Sequence, residues 1–367
     1  DNFRTGYRST VLTLLVVCRR QESSRASIMK FRVWTNDSSC IDHFSNLLAT
    51  ISGLAKNCVL RITKHSLNFI IRERSLQGGT EAWCELETPS LFSECVCDGL
   101  SAEQDEILLE VVPEQILHCL RSGNVNVTGA GGSTALGSLA STTASTALTS
   151  GMARATPGGG CAGSNLNTMV LARSLKIKLV RRKTPCLALE IEQASVTGRS
   201  RSVWHFIPVH ILPPRLWPDF EDTPDPEFDL SIFLPPVRNL RLFVDRMKRF
   251  ARFITVRANG VGDLYLEINM ETLARVRLTY HGLRARNWHQ ELEKKDSRAA
   301  DVGAMMDLPP ATEFSATVDI RRLSQLLSSQ RIQPNWFVCN IVNDHLLQFV
   351  LLFENARLKY TLPASRL

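Results

Sequence analysis

The sequence predicts an α+β protein made of two similar domains, each with two helices packed on one face of mostly antiparallel sheets. Strand–turn–helix units begin near residues 30, 106, 230 and 314, and antiparallel strand patterns follow each unit. The units lie 76 residues apart in the first half of the chain and 84 residues apart in the second. This internal repeat is far too long for a solenoid, so it indicates a duplicated domain.

The first domain is expected over 29–212. A strand from Lys30 leads into a helix over 41–56, where apolar residues recur at helical spacing and Ser38 or Ser39 can cap the first turn. Apolar and alternating runs predict strands at 59–62, 67–71, 82–86, 106–111, 175–179, 186–191 and 203–212, and a short helix at 114–121. Residues 1–28 precede the strand pattern that starts at Met29, and we expect them to be an extension outside the fold.

Two segments of different composition divide the chain. Residues 123–172 are rich in Gly, Ser, Thr and Ala, nearly uncharged and without period, which predicts a disordered insertion in the first domain. Residues 213–229 contain five prolines and six acids and are expected to form an extended linker between the domains.

The second domain is expected over 230–367. Patterns predict strands at 230–234, 253–257, 264–268, 273–280 and 314–319, a helix at 321–329, and two or three strands that end at Leu362. The charged segment 284–311 is expected to be a mobile loop.

The segment 237–252 predicts an amphipathic helix that follows Pro235-Pro236, since proline in a first helical turn loses no hydrogen bond. Its apolar stripe comprises Val237, Leu240, Phe243, Val244, Met247, Phe250 and Ala251. The opposite side gathers Arg238, Arg241, Lys248, Arg249 and Arg252, with Asp245 as the one acid. A helix that merely faces solvent usually mixes charges of both signs, so this basic face favours an anionic partner over a solvated surface.

The amino-acid composition is compatible with several classes of protein. Lys and Arg number 43 against 36 Asp and Glu, a net charge of +7 that suits an anionic partner without requiring one. The ten cysteines are scattered, without a CxxC pair or the histidines of a zinc site, and we expect reduced, mostly buried thiols. No apolar run approaches the ~20 residues that span a membrane.

Catalytic signals are poor. The sequence has no GxSxG, HExxH or P-loop motif, and its eight histidines pair with no nearby acid or cysteine at ligand spacing. The acids of 219–229 are interleaved with prolines, so no rigid element would hold them around a metal ion. We therefore expect no catalytic residue, metal or cofactor.

The basic helix faces predict contact with DNA through phosphate charge, without reading of sequence. No aromatic stacking surface accompanies the basic face in the sequence, so double-stranded DNA is a better expected target than single strands. The expected DNA-facing residues are Arg238, Arg241, Lys248, Arg249, Arg252, Arg321, Arg322, Arg121 and Lys56.

An ordered series of short motifs resembles the Hus-one checkpoint protein family, which supplies one subunit of the nine-one-one DNA-damage checkpoint clamp. The motifs are Met29-Lys30-Phe31-Arg32, Trp83-Cys84-Glu85-Leu86-Glu87, Leu175-Lys176-Ile177-Lys178-Leu179, Pro185-Cys186-Leu187, Ile207-Pro208-Val209, Leu216-Trp217, Asp225-Pro226 and Cys339-Asn340-Ile341-Val342-Asn343. The resemblance covers about 29–122 and 171–365 in order. No single motif is diagnostic, whereas the ordered series is.

The resemblance implies a sliding-clamp fold, similar to proliferating cell nuclear antigen, in which helices line a central hole and sheets form the outside. Two other checkpoint clamp subunits would complete a heterotrimer, and a clamp loader would place it on damaged DNA. The chain would then be a nuclear, non-enzymatic scaffold for repair enzymes and checkpoint kinase signalling.

The resemblance also implies roles for three segments. Strands 203–212 and 273–281 would be edge strands that join neighbouring subunits. Their contact residues would be Val203, Trp204, Phe206, Val209, Ile211, Leu273, Val276, Leu278 and Tyr280. Partner peptides would dock beside the linker at Leu216, Trp217 and Phe220.

Two alternatives stay open. A homotrimeric replicative clamp would require the two edge strands to be complementary to each other. A metal-dependent nucleic-acid enzyme would use carboxylates of the linker such as Asp222 and Asp225, and metal-dependent cleavage that is lost on their substitution would support it.

Overall fold

The computed structural model describes residues 29–73, 79–99, 105–122, 172–193, 200–270, 274–285 and 312–365, together with the backbone of 125–127 and 168–170. The expected extension 1–28 lies outside the described residues. The helices are α1 Ser38–Leu54, α2 Thr88–Leu91, α3 Pro113–Ser122, α4 Val237–Met247 and α5 Ile320–Ser329. The first-half strands are β1 Lys30–Thr35, β2 Cys58–Ile62, β3 Ser66–Arg72, β4 Glu81–Glu87, β5 Glu94–Asp98, β6 Ile107–Val111, β7 Val125–Val127, β8 Thr168–Val170, β9 Ala172–Arg181, β10 Pro185–Gln193, β11 Arg201–Pro208 and β12 His210–Ile211. The second-half strands are β13 Leu230–Phe233, β14 Phe253–Asn259, β15 Leu264–Met270, β16 Ala274–Tyr280, β17 Glu313–Asp319, β18 Trp336–Val342, β19 Leu346–Leu352 and β20 Ala356–Pro363.

Three antiparallel sheets carry the fold. A five-stranded sheet in the first half has the order β11-β10-β9-β1-β5, and a four-stranded sheet in the second half has the order β16-β15-β14-β17. A nine-stranded sheet, β12-β6-β2-β3-β4-β20-β19-β18-β13, takes its first five strands from one half and its last four from the other. The halves therefore share one continuous sheet through the pairing of β4 with β20, from Leu86 opposite Ala356 to Glu81 opposite Thr361.

Four helices form a row on the sheets in the spatial order α3–α1–α5–α4, because α1 packs on both α3 and α5, and α5 packs on α4. Their apolar stripes close the core, as the periodicity predicts: Ile41, Phe44 and Leu48 of α1 are buried, as are Leu323 and Leu327 of α5. Both central helices have an aspartate cap. Asp37 accepts a hydrogen bond from the amide of Ser39 at 2.8 Å, one residue before the serines expected to cap this helix, and Asp319 accepts one from the amide of Arg321 at 2.8 Å.

Helices α1 and α5 meet across the boundary between the halves at very short range. The side-chain amide of Gln325 donates to the carbonyl oxygens of Gly53 at 3.0 Å and Leu54 at 2.8 Å. A Cβ atom on Gly53 would lie 2.8 Å from the Cβ atom of the buried Ser329, so this approach requires glycine.

The linker is more ordered than its composition predicts. Residues Pro214–Phe220 form a 3₁₀ helix, and Trp217 is only 6% exposed because its indole packs on the outer face of the nine-stranded sheet. Arg72 of β3 donates to the carbonyl oxygens of Asp219 and Glu221. The segment therefore lies along the sheet instead of spanning the domains as a free chain.

Two further expectations differ from the structure at their boundaries. Within the segment expected to be disordered, β7 and β8 pair with each other, and Ala172 is buried as the first residue of β9; the rest of 123–172 lies outside the described residues. In the segment expected to be a mobile loop, Arg284 accepts a hydrogen bond from the amide of Phe233 and Ala285 bridges to Ile232, whereas 286–311 lies outside the described residues.

Candidate nucleic-acid interface

Helix α4 is shorter than the sequence predicts. It ends at Met247, and 248–250 form a turn in which the amide of Phe250 donates to the carbonyl oxygen of Met247 at 2.9 Å. The predicted apolar stripe is wrong at Phe250, whose side chain is 63% exposed, because the turn carries it off the helical track. An aromatic ring is therefore present on the surface that was expected to have none.

The outward side of α4 and of the turn that follows it carries three cations that are open to solvent. Arg238, Arg246 and Arg249 are exposed, and none of them has a carboxylate partner among the residues that the structure describes. Sequence reasoning missed Arg246. At about 100° per residue, Arg246 lies at a larger angle from the apolar stripe than Arg241 or Lys248 does. Its position around the helix could therefore have predicted its exposure.

Two of the three other cations predicted for this segment are neutralised within the protein. Lys248 Nζ donates to Asp245 Oδ1 at 2.8 Å, and Arg241 Nε donates to Asp245 Oδ2 at 3.3 Å. Ser324 of α5 also donates to Asp245 Oδ1, at 2.9 Å, and accepts from Lys248 at 3.0 Å. Asp245 and Lys248 thus join α4 to α5 through Ser324, and less of the charge of Arg241 and Lys248 is free for a ligand.

These partners stabilise the ionised form of the Asp245 carboxylate. Partial burial opposes the charge, but hydrogen bonds from Lys248 and Ser324, the Lys248 charge and a hydrogen bond from Arg241 outweigh it and lower the pKa of Asp245.

A shallow cavity of about 460 Å³ lies where the end of α4 meets the start of α5. It is lined by Lys248, Arg249, Phe250, Ala251, Arg252, Asp319 and Arg321. Arg252 is exposed and its Nε lies 3.9 Å from Asp319 Oδ2, whereas the Arg321 side chain has no carboxylate partner among the described residues. The predicted residues Arg249, Arg252 and Arg321 are therefore brought together in space.

The other predicted DNA-facing residues are dispersed. Arg322 Nη2 lies 2.5 Å from Glu73 Oε1, so it forms an ion pair across the two halves instead of facing outward freely. Arg121 is exposed in the last turn of α3, and Lys56 is exposed just after α1. Helix α1 itself contains no lysine or arginine. The cations of the helical row are concentrated on α4 and the start of α5.

The predicted first edge strand is two strands in different sheets. β11 ends at Pro208 and is an edge of the five-stranded sheet, whereas β12 pairs with β6 as an edge of the nine-stranded sheet. Val209, between them, is only 8% exposed and belongs to the core, and Ile211 pairs with Leu109 in the second sheet. These two residues do not form one outer edge with Val203, so that part of the prediction is wrong.

Two aromatic residues mark β11 as an open edge. Trp204 is 43% exposed and Phe206 is 36% exposed, and their rings stack with centroids 6.4 Å apart. Lys178 lies over the Trp204 ring at 4.7 Å, and Arg182 lies over the Phe206 ring at 3.4 Å. Each edge of this sheet contacts a helix, β5 contacting α2 and β11 contacting α3, so it is the exposed aromatic rings that distinguish β11.

The predicted second edge strand is β16. In the four-stranded sheet, β17 lies against β18 and β19, which leaves β16 at the outer edge. Val276, Leu278 and Tyr280 are half-buried, and Leu278 and Tyr280 pack on the core. Leu273, also expected at this edge, lies outside the described residues.

The linker residues expected to bind partner peptides have separate roles. The Trp217 indole packs against Trp83 and Leu108, and its Nε1 donates to the carbonyl oxygen of Leu212 at 3.0 Å, so it anchors the linker to the sheet. Phe220 is half-buried beside it, and Leu216 is 36% exposed.

The linker carboxylates that a metal-dependent enzyme would need already have cationic partners. Asp225 lies 3.0 Å from Lys359 Nζ and accepts a hydrogen bond from Gln348 at 2.9 Å, and Asp222 lies 3.9 Å from the same lysine. Among the described residues, no group of three or more His, Cys, Asp or Glu side chains could hold a metal ion.

Two broader expectations can be compared with the described residues. The eight described cysteines are free thiols, and six of them are buried, which confirms that prediction for this part of the chain. No helix that the structure describes is both long enough and apolar enough to cross a membrane.

The fold, with its row of four helices and its sheet shared between two similar halves, is that of the sliding clamps. A proliferating cell nuclear antigen of Entamoeba histolytica aligns with a TM-score of 0.56 at 9% identity, covering 92% of this chain and all of that chain. A proliferating cell nuclear antigen of Thermococcus kodakaraensis aligns with a TM-score of 0.53 at 12% identity, with 92% and 100% coverage. At such identities the likeness concerns the fold alone, and it confirms the predicted fold class.

Sequence comparison defines the family. The Hus1-like protein family model matches residues 29–366. The Checkpoint protein HUS1 of Homo sapiens is 31% identical over 336 residues, which is 92% of this chain and 99% of that protein. A Checkpoint protein Hus1-like of Drosophila melanogaster is 24% identical over 241 residues, 64% of this chain and 70% of that protein. The chain belongs to the Hus1-like family, as its motifs predicted.

Proposed function

We propose that this protein is one subunit of a heterotrimeric checkpoint clamp that encircles double-stranded DNA and serves as a scaffold, without catalytic activity of its own. A clamp loader would place it at damaged DNA in the nucleus, where it would support checkpoint kinase signalling and the recruitment of repair enzymes. The observation that carries the proposal is a sliding-clamp fold in a chain of the Hus1-like family.

Charge supports the DNA-facing role of the helical row. Arg238, Arg246 and Arg249 are exposed on α4, and Arg321 is exposed at the start of α5. Cations on one face attract the phosphates of a duplex and release its condensed counterions, which gives binding without sequence preference. The absence of lysine and arginine from α1 means that the duplex would be held mainly beside the second domain.

Edge strands support the assembly. A free edge presents unpaired amide and carbonyl groups that another chain can satisfy. β11 and β16 lie at the outer edges of sheets in different halves, and their exposed side chains differ. β11 presents Trp204 and Phe206, whereas β16 presents Arg275 and Arg277. A ring made of copies of this chain would pair β11 with β16, so the aromatic rings of one edge would have to complement the arginines of the other. An assembly with two different neighbours does not have this requirement.

The composition of the assembly tests the proposal. The full chain would be isolated from its own cells and weighed by native mass spectrometry under non-denaturing conditions. The expected particle contains one copy of this chain and one copy each of two different proteins with the clamp fold. A particle made of three copies of this chain would contradict the heterotrimer and support the homotrimeric replicative clamp.

A further inference from the structure

The turn that follows α4 exposes an aromatic ring with no role in the core. Phe250 is 63% exposed, although the backbone around it is fixed: its own amide and that of Ala251 both donate to the carbonyl oxygen of Met247, at 2.9 and 3.2 Å. An exposed phenylalanine on a rigid turn offers a flat apolar surface in a defined position. Such a surface suits the face of another ring.

Cations surround that ring. Phe250 lies in the cavity of about 460 Å³ with Lys248, Arg249, Arg252 and Arg321. Among the described residues, the cavity contains one carboxylate, Asp319, which caps α5 by accepting from the amide of Arg321 at 2.8 Å and also lies 3.9 Å from Arg252. The cavity therefore has an excess of positive charge, and its volume falls in the range of about 300–1,000 Å³ that is common for small-ligand sites.

An aromatic ring among arginines matches the chemistry of a nucleotide with an unpaired base. The ring can stack on the base, and the guanidinium groups can bind the phosphate in a bidentate manner. A base within a duplex does not expose its face, so the backbone contacts of a passing duplex would use the cations but not the phenylalanine. An apolar or basic protein partner would leave these cations without neutralising charge.

We propose that the cavity at the end of α4 binds an unpaired nucleotide of a DNA strand, with its base stacked on Phe250 and its phosphate on Arg249, Arg252 and Arg321. This inference rests on the proposed function, because it requires DNA to pass along the helical row. It adds a site that distinguishes a displaced or single-stranded nucleotide from duplex backbone.

Two DNA probes separate the base from the phosphate. One is a labelled hairpin duplex with a short thymidine extension, and the other is the same hairpin with an abasic extension of equal length and charge. Affinities of the assembled complex containing the full chain would be measured by fluorescence anisotropy. The preference for the thymidine extension reports the stacked base, and the affinity for the abasic probe reports phosphate binding alone.

The wild-type complex should prefer the thymidine extension. Phe250→Ala should reduce that preference about fivefold or more and leave the affinity for the abasic probe unchanged, since stacking adds about that much per base. Phe250→Trp should retain the preference. Leu242→Ala is the matched control, because Leu242 is 56% exposed on α4 but lies outside the cavity, and it should have no effect.

The possible failures are distinguishable. If both probes bind with equal, salt-dependent affinity, the proposed nucleotide site is contradicted, but the proposed DNA-facing surface is retained. Binding of neither probe would overturn the nucleotide site together with the proposed function. A Phe250→Ala chain that keeps the preference but no longer assembles with its partners would assign the ring to a protein interface and overturn the inference.

Discussion

Lys359 is a buried cation on the central sheet, and the linker supplies its charge partner. Its side chain is 8% exposed and lies 3.0 Å from Asp225. Burial disfavours the charge of Asp225, but hydrogen bonds from Gln348 and Lys359 and the charges of Lys359 and Arg357 outweigh it and lower the pKa of the aspartate. The ion pair of Lys359 with Asp225 holds the linker against the strands of the second half.

Asp225→Asn should therefore lower the free energy of unfolding by about 3 kcal/mol at neutral pH, since it leaves a buried lysine with only the half-exposed Asp222, 3.9 Å away, as a carboxylate partner. Because the folded-state pKa of Asp225 is lowered, its contribution is present above the unfolded pKa of about 3.9 and is lost as the pH falls through the folded value. Urea unfolding at several pH values would measure both effects, and the difference from wild type should shrink in acid.

Asp222→Asn is the matched control, because Asp222 is half exposed and 3.9 Å from the same lysine. It should change stability by about 1 kcal/mol or less. Equal losses in the two variants would show that Asp225 has no special role at Lys359.

Asp245 limits the positive charge of α4. Asp245→Asn would release Arg241 and Lys248, so the affinity of the assembled complex for duplex DNA should rise. The slope of log affinity against log salt should become steeper by about one unit, which corresponds to about one added phosphate contact. Filter binding or anisotropy at several salt concentrations would measure the slope.

Glu313→Gln removes the same charge from β17, where Glu313 pairs with Arg257, and serves as the control. It should leave the slope unchanged. A similar gain from both variants would mean that net charge, and not the α4 surface, determines DNA affinity.

Single residues were predicted unevenly from the sequence. The stripe of α4 is correct at Val237, Leu240 and Val244, because helical spacing reports burial directly. The stripe fails at Phe250, where a turn replaces the helix. In the linker, the burial of Trp217 was not predicted because it depends on a sheet that is distant in sequence. Neither local spacing nor composition contains that information.

At the scale of elements, the α1–α5 contact depends on the missing side chain of Gly53. Alanine at an exposed helical glycine normally stabilises a helix by up to about 1 kcal/mol. Here the added Cβ would lie 2.8 Å from that of Ser329, so Gly53→Ala should instead destabilise the protein by about 1–2 kcal/mol. Denaturant unfolding would measure the change.

Ser329→Gly removes the atom with which the new methyl group collides. In that background Gly53→Ala should be neutral or stabilising, a coupling that a double-mutant cycle quantifies. Stabilisation by Gly53→Ala alone would contradict the close approach of the two helices.

Helix α4 should carry more of the DNA contact than any other described helix. Reversing Arg238 and Arg246 to glutamate should weaken duplex binding and flatten the salt slope by about two units, since each phosphate contact contributes about 0.9. Reversing Arg181 and Lys183, exposed cations at the tip of the β9–β10 hairpin, changes the net charge equally. An equal loss of DNA affinity in the two double variants would contradict the assignment of α4 to the DNA interface.

The sequence predicted most elements because alternation and helical spacing are local signals. It missed β5, whose residues Glu94–Asp98 have an acid at each end and only three apolar residues, Cys95, Val96 and Cys97, between them. It also joined β11 to β12, since one continuous apolar run does not reveal that the chain passes from one sheet to another at Val209.

At the scale of the whole molecule, the sequence predicted the duplication from its repeated strand–helix units. It did not predict how the two halves contact each other. Three contacts join the halves: the β4–β20 pairing, the α1–α5 contact and the ion pair of Glu73 with Arg322. The residues that each of them brings together lie far apart in sequence. Together they make one unit in which the row of helices packs on the sheets. That unit is what a ring-shaped clamp requires.

Topological retention on DNA tests the central claim most directly. The assembled complex would be loaded onto nicked circular DNA and washed at high salt, which screens phosphate contacts but does not open a closed ring. The account predicts that the complex stays on the circle and is released when a restriction enzyme linearises it. Loss from the circle at high salt, or equal retention on circular and linear DNA, would contradict encirclement.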